Sequence, residues 1–146
     1  MTETDIRSSI FQYLSTQLSA TIDAGGADNF DPHSQAVDDW CTFRLDVFSD
    51  PHKRRDGRWR PRIRFLAHCR NRENVNIYAA SDLAASVAAV FRSAASIPIR
   101  DYSTSDEDIV GYATFSDPQT TDESENEDEA GWQLMMVSVD GFAEAQ

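Results

Sequence analysis

The sequence predicts an α+β domain in which an antiparallel sheet of about four to five strands carries two helices packed on one face. Segments with helical spacing of apolar residues alternate with segments of period two, in the order helix, hairpin, helix, hairpin. That order is typical of a two-layer domain. The length of 146 residues and the apolar content of 40% suit one domain over residues 1–146.

The first two elements are a helix and a half-buried strand. Residues 4–20 carry apolar side chains at helical spacing, and we expect Thr4 or Asp5 to cap the start of this helix. Apolar and polar residues alternate through Trp40–Phe48, which predicts a strand with one face in the core.

The second strand is predicted to begin at Arg58, to run to Phe65 and to continue as far as Cys69. It follows the first strand after a connection typical of a hairpin. Proline has no N–H to donate to a ladder. We therefore expect the end of this strand at Pro61 to form a sheet edge or a bulge.

The second half repeats the pattern of helix and hairpin. Residues 81–95 show the clearest apolar stripe of the chain, with Ser81 as the expected N-cap. Strands are predicted over Ile109–Phe115, where Gly111 suggests a bulge, and over Trp132–Phe142. The last segment is apolar on both faces, which indicates a central strand or a subunit interface.

Charge is distributed unevenly along the chain, whose net charge is −12. Residues 52–72 hold nine bases and one acid, whereas residues 101–146 hold thirteen acids and no base. The acids are densest in 117–131, where few apolar side chains could anchor the segment, so we expect a mobile acidic loop there. The positive charge of the basic segment can be neutralised by acids of the same chain, by a second copy or by a polyanion.

Four arginines of the second predicted strand form the sharpest feature. They are spaced two residues apart: Arg58, Arg60, Arg62 and Arg64. At about 6.6 Å intervals on one face they repel one another unless they meet carboxylates or phosphates. Nucleic acid could bind this row and stack on Trp59, but the acidic C-terminal third disfavours a polyanion. We predict instead that the row contacts an acidic segment of a second copy, a type of contact that can close into a ring.

Signatures of catalysis are missing from the sequence, which has no glycine-rich phosphate loop, no GxSxG and no HExxH. Cys41 and Cys69 are predicted to be small core residues, the alternative being a thiolate–imidazole site with His68. The acidic loop lacks the residue order of a calcium loop. We therefore expect no enzymatic activity, no cofactor and no metal site.

Four segments resemble those of a known family in their order and size. They are Ile6–Leu18, Trp40–Phe48, Ser81–Arg92 with the following Ile97-Pro98-Ile99, and Gly131–Val139. Through them, residues 5–142 resemble the tail terminator (tail completion) proteins of long-tailed bacteriophages and archaeal viruses. The long acidic loop and the arginine-rich segment depart from the simple family pattern.

The resemblance implies a structural virion protein without catalysis. Such a protein forms a ring, usually six-fold, at the head-proximal end of the tail, stops polymerisation of the tail tube and joins the tail to the head. The implied partners are further copies, the tail tube protein and the head–tail connector protein, with DNA passing through the lumen without sequence-specific binding and no membrane. The implied location is the virion, and the host cytoplasm during assembly. Another neck or connector component, or a nucleic-acid-binding accessory protein, stays open as an alternative.

Two sets of residues are expected to serve assembly. The candidates for the subunit interface are Arg58, Arg60, Arg62, Arg64, Trp132 and Met135. The acidic candidates for the lumen or a partner are Asp122, Glu123, Glu125, Glu127, Asp128 and Glu129. A lumen through which DNA slides should be acidic, because basic walls bind phosphates.

Overall fold

Two helices and a seven-stranded sheet make up the described part of the chain, which in this computed structural model comprises residues 1–18, 23–25, 39–48, 59–72, 78–94, 96–104, 106–124 and 133–146. The helices are α1 (Glu3–Gln17) and α2 (Ala79–Ser93). The strands are β1 (Asp23–Gly25), β2 (Asp39–Phe48), β3 (Arg62–Asn71), β4 (Ile97–Arg100), β5 (Ile109–Phe115), β6 (Gln119–Asp122) and β7 (Gln133–Ala145).

The sheet has the strand order β1-β2-β3-β7-β5-β4, and β6 pairs with the first part of β7. β1 runs parallel to β2, and every other neighbouring pair is antiparallel. The predicted α+β fold with an antiparallel sheet is confirmed, and all four predicted strands are present. Three short strands, β1, β4 and β6, were not predicted, because three or four residues are too few to show a period.

Both helices pack on one face of the sheet, as predicted. Apolar residues of β2, β3 and β7 form one buried cluster with apolar residues of the two helices. Small residues such as Ala84 and Ala88 let α2 lie close to the strands, and Phe91 packs on Phe65 with ring centroids 4.8 Å apart. The opposite face of the sheet therefore presents the even-numbered side chains of β2, β3 and β7.

The helix starts differ from the expected caps. α1 begins at a capping box in which Thr2 accepts a hydrogen bond from the backbone N–H of Asp5 at 3.2 Å, and the Asp5 carboxylate accepts one from the N–H of Thr2. The prediction of Thr4 or Asp5 as N-cap was therefore wrong. The prediction of Ser81 was also wrong: α2 begins after Tyr78 without a side-chain cap, since its first turn already buries Ala80 in the core.

Pro61 does not mark a sheet edge, which corrects the expectation for this strand. β3 begins at Arg62, which pairs with Phe48 of β2 on one side and with Phe142 of β7 on the other. Pro61 precedes the ladder, so no hydrogen bond is lost, and its carbonyl accepts one from the N–H of Ala143 at 3.0 Å. Arg60 consequently lies before the strand and not within it.

The glycine bulge is confirmed, because the register of β4 against β5 shifts beside Gly111, between Ile99 and Arg100.

The expectation of a continuous loop over 117–131 is wrong in its first part. There Gln119–Asp122 forms an exposed edge strand whose contacts are made by its backbone, so it needs no apolar side chains. Residues 125–131 lie outside the described residues. β7 is a central strand, as its two apolar faces indicated.

Candidate interface on the open face of the sheet

The face of the sheet opposite the helices is called the open face. Two rows of side chains from β2, β3 and β7 cross it at one end of the sheet. The strand register places Arg62 between Phe48 and Phe142, which makes an aromatic–arginine–aromatic row. Two residues further along, it places Arg64 between Asp46 and Asp140. Directly opposed side chains on one face lie close enough to interact. The two neighbouring arginines therefore have different surroundings.

The positive charge of Arg64 is neutralised by a carboxylate of its own chain. Its Nε donates a hydrogen bond to Oδ1 of Asp140 at 2.8 Å, and both side chains are about half exposed. This hydrogen bond raises the pKa of the Arg64 guanidinium and lowers the pKa of the Asp140 carboxyl. Asp46 is bonded in turn by Nε of Arg44 at 3.0 Å. The row of Asp46, Arg64 and Asp140 is thus largely satisfied without a second molecule.

The guanidinium groups of Arg60 and Arg62 have fewer hydrogen-bond and ion-pair partners among the described residues than that of Arg64. The Arg60 guanidinium carbon lies 3.6 Å from the centroid of the Phe142 ring, a cation–π contact that fixes its position. Its Nε is buried and has no hydrogen-bond partner among the described residues. Arg62 is exposed, and within the described part of the chain it forms no hydrogen bond or salt bridge. These two guanidinium groups can still bind an anionic group.

A groove of about 660 Å³ lies beside Arg62. Its lining includes Phe48, Arg62, Arg64, Phe115, Asp140 and Phe142. Phe48, in the lining of the groove, is 49% exposed, so an apolar surface stands beside the arginine donors. The groove combines aromatic walls with arginine donors, and this combination is typical of protein-binding surfaces.

The structure separates the other predicted assembly residues from this groove. Asp122 pairs in register with Met135 near the start of β7, at the opposite end of the sheet from Phe142. Met135 is half-buried against the core rather than on the open face. The Asp122 carboxylate accepts hydrogen bonds from the hydroxyl and the N–H of Ser124, which lower its pKa. Glu123 is half-buried beside it.

The remaining predicted residues lie outside the described part of the chain. They are Arg58, Trp132, Glu125, Glu127, Asp128 and Glu129. The sequence analysis in turn missed the aromatic and acidic residues that flank the arginines: Phe48, Phe142, Asp46 and Asp140. A signal for the first two was present, because each places an aromatic residue on the polar face of a strand with regular alternation.

Cys41 and Cys69 are core residues, as predicted, and face each other across β2 and β3. Their Sγ atoms are 2.9 Å apart and both side chains are fully buried. The contact with the Cys69 thiol and the burial raise the pKa of the Cys41 thiol. His68 lies on the opposite face, in register with Thr42 and Met136, so the thiolate–imidazole alternative is wrong.

Among the residues with described positions, no three or more His, Cys, Asp or Glu side chains are grouped so that they could hold a metal ion. In the same residues no helix is long and apolar enough to cross a membrane. A scan against models of known protein families finds no match for the chain, and a search of curated proteins finds none either.

Proposed function

We propose that this protein is a structural subunit that forms a ring of the tail-terminator kind. Successive copies would meet through two unlike surfaces of the subunit, that is, in head-to-tail contacts between subunits. The observation that carries the proposal is that the strand ends flanking a basic segment of the sequence and those flanking an acidic segment lie at opposite ends of the sheet. A contact between unlike surfaces of identical subunits forms a ring when its rotation closes.

The basic connection joins β2 to β3. Its ends, Phe48 and Trp59, lie at the end of the sheet that holds Arg62 and Phe142. The sequence between them contains four bases, Lys53, Arg54, Arg55 and Arg58, and two acids, Asp50 and Asp56. Arg60 and Arg62, which follow this basic segment in the sequence, lie at the same end of the sheet.

The acidic connection joins β6 to β7 at the other end. Between Ser124 and Gln133 the sequence contains Glu125, Glu127, Asp128 and Glu129 and no base. Gln133 pairs with Asn71 at one end of β3, whereas Phe142 pairs with Arg62 at the other, nine residues along β7. At about 3.4 Å per residue, the two connections start about 31 Å apart. Opposite charges at opposite ends favour head-to-tail over symmetric contacts.

One lateral edge of the sheet is poorly suited to joining copies by strand addition. In β4, Pro98 has no N–H, and the N–H of Arg100 donates a hydrogen bond to Oγ of Ser9 on α1 at 2.9 Å. Copies are therefore expected to meet through other surfaces, and among the described residues the open face with Arg60 and Arg62 presents unbalanced charge.

In the proposed role the ring is six-fold and located in the virion at the head-proximal end of the tail, after assembly in the host cytoplasm. It contacts the tail tube protein and the head–tail connector protein, stops tube polymerisation and passes DNA through its lumen, without catalysis. Another neck component would form a similar ring and bind the connector alone. The aromatic and arginine side chains of the groove favour nucleic-acid binding as the second candidate, since bases stack on aromatic rings and phosphates bind guanidinium groups.

The test is the assembly state of the purified chain, measured by light scattering at low and at molar salt, with and without isolated tail tubes. We expect a ring in solution, or a monomer that forms rings on tube ends visible by electron microscopy. A chain that stays monomeric, ignores tubes at every salt concentration and binds DNA in a salt-sensitive way would replace the ring proposal with the nucleic-acid candidate.

A further inference from the structure

We propose that the groove between Phe48, Arg62 and Phe142 is the receptor for the acidic segment 125–129 of a neighbouring copy. This rests on the proposed head-to-tail assembly and assigns its contact to particular residues. The occupant is a second copy of this chain, identified by the charge and the position of its segment.

The receptor side is preorganised for carboxylates. Arg60 is held over the Phe142 ring, and its buried Nε has no partner among the described residues. Arg62 stands in the row between two aromatic residues. A guanidinium offers parallel donors that match the two oxygens of a carboxylate, and neighbouring aromatic rings keep water away from such a pair. The terminal nitrogens of Arg60 and the guanidinium of Arg62 are therefore the donors for the carboxylates of the neighbouring copy.

This segment is disfavoured as an occupant of the groove in its own chain, because its anchors lie far from the groove. It leaves the sheet at Ser124 and returns at Gln133, so its middle is at most five residues from either anchor. Five fully extended residues span about 18 Å, whereas Asp140 and Phe142, which line the groove, lie about 24 Å and about 31 Å along β7 from Gln133. The remaining distance of about 6 to 13 Å favours a contact with a different copy. Asp122 is already bonded to Ser124, which leaves the acids from Glu125 onward as the ligands.

The groove favours a short acidic peptide over a nucleic acid. Asp46 and Asp140 stand in the row beside Arg62 and repel any anion, but a phosphate backbone that continued across the sheet would have to pass over them, whereas a short peptide can end at Arg62. Arg64 is paired with Asp140, so the positive charge left in the groove lining is that of Arg62, and Arg60 adds a second positive charge beside it on the Phe142 ring. Two arginine side chains can bind two or three carboxylates, but they cannot neutralise an extended polyanion.

The probe for this proposal is a fluorescein-labelled peptide of residues 117–131, DPQTTDESENEDEAG. The receptor is the full chain with Glu125→Gln, Glu127→Gln, Asp128→Asn and Glu129→Gln, which leaves its groove unoccupied by neighbours. We expect saturable binding in fluorescence anisotropy, and a loss of at least tenfold in affinity when the receptor also carries Arg62→Gln. Molar salt should weaken binding strongly, because the Debye length then falls to about 3 Å.

Arg92→Gln is the matched control variant, since Arg92 is an exposed arginine on α2, in the helical layer. It should leave the affinity unchanged, and a peptide with all acids replaced by their amides should not bind. Equal binding to the receptor with and without Arg62→Gln would overturn the proposal. So would a DNA oligonucleotide that binds the receptor more tightly than the peptide and depends on Arg62.

Failure of this proposal can be told apart from failure of the proposed function. If the chain with the four amide substitutions still forms rings on tail tubes, the segment is not the ligand, and the ring function stands. If the peptide binds at Arg62 but the wild-type chain never assembles, the groove is a receptor for this segment, and the ring function is wrong.

Discussion

Arg64 donates a hydrogen bond from Nε to Oδ1 of Asp140 across the β3–β7 pair at 2.8 Å. Arg62, two residues away on the same strand face, has no such partner in the described part of the chain. The difference follows from the register alone, since β7 places a carboxylate opposite one arginine and a phenyl ring opposite the other. The arginine row therefore divides into a residue that links two strands and residues that remain available for binding.

Asp140→Asn tests this division. Both partners are about half exposed, so the loss of their ion pair should leave the midpoint of urea denaturation nearly unchanged. The variant frees Arg64 and removes a negative charge beside the groove, so the acidic peptide should bind more tightly. Weaker peptide binding would show that Asp140 supports the groove instead of limiting it.

The same ion pair has a defined pH dependence. The pKa of Asp140 is lowered by Arg64, so any stability from the pair is complete above the ordinary Asp pKa, near 3.9, and is lost as the pH falls through the lower folded value. Titration of the Asp140 carboxyl carbon by NMR should show a midpoint below the ordinary value. Arg64→Gln should raise that midpoint towards the ordinary value, and the smaller lowering effect of Arg62 should remain.

The alternation of side chains predicted the long elements of this fold but not the neighbours of the candidate site. Period two places Arg62 and Arg64 on one face from the sequence alone. Their surroundings depend on the pairing of β3 with β7, two segments about 70 residues apart, and local pattern contains no information on that register. Arg60 was assigned to the strand for a related reason, because alternation continues through Pro61 while the ladder begins after it.

Ser9→Ala should destabilise the protein. Ser9 is 3% exposed, and its Oγ accepts the hydrogen bond from the N–H of Arg100 on edge strand β4. Removing the hydroxyl leaves a backbone donor without its partner, which costs about 1–3 kcal/mol of unfolding free energy. Urea denaturation measures this loss, and Ser8→Ala, at the less buried neighbouring position of α1, is the control. An equal effect of both substitutions would assign the loss to the helix and not to the edge strand.

Gly111→Ala should be more damaging than its small size suggests. A Cβ at this position would lie 2.5 Å from the carbonyl oxygen of Glu144 and 2.8 Å from Sδ of Met1. The first contact is with backbone, so β5 or β7 must shift, and we expect a loss of about 2 kcal/mol or more. Tyr112→Ala, at the exposed next position, should cost less. Thermal unfolding of the two variants compares them, and an unchanged Tm for Gly111→Ala would contradict the close approach of these strands.

The thiols of Cys41 and Cys69 should resist alkylation in the folded protein. Both are fully buried, and the pKa of Cys41 is raised, so little thiolate is exposed to react. Iodoacetamide at pH 8 should leave both cysteines unmodified in buffer and modify both in urea, as mass spectrometry can show. Rapid modification of the folded chain would place the pair outside a closed core.

Stability should also fall at high pH because of this pair. The unfolded thiol ionises near its ordinary pKa of 9.0, while the folded Cys41 stays protonated to higher pH. Its contribution is therefore complete below pH 9 and declines as the pH rises further, at up to about 1.4 kcal/mol per pH unit while only the unfolded thiol is ionised. Urea denaturation between pH 8 and 10 measures this slope. The double variant Cys41→Ala/Cys69→Ala is the control and should show a smaller decline, since its unfolded state has no thiol to ionise. Equal slopes for the two proteins would mean that other groups cause the loss of stability.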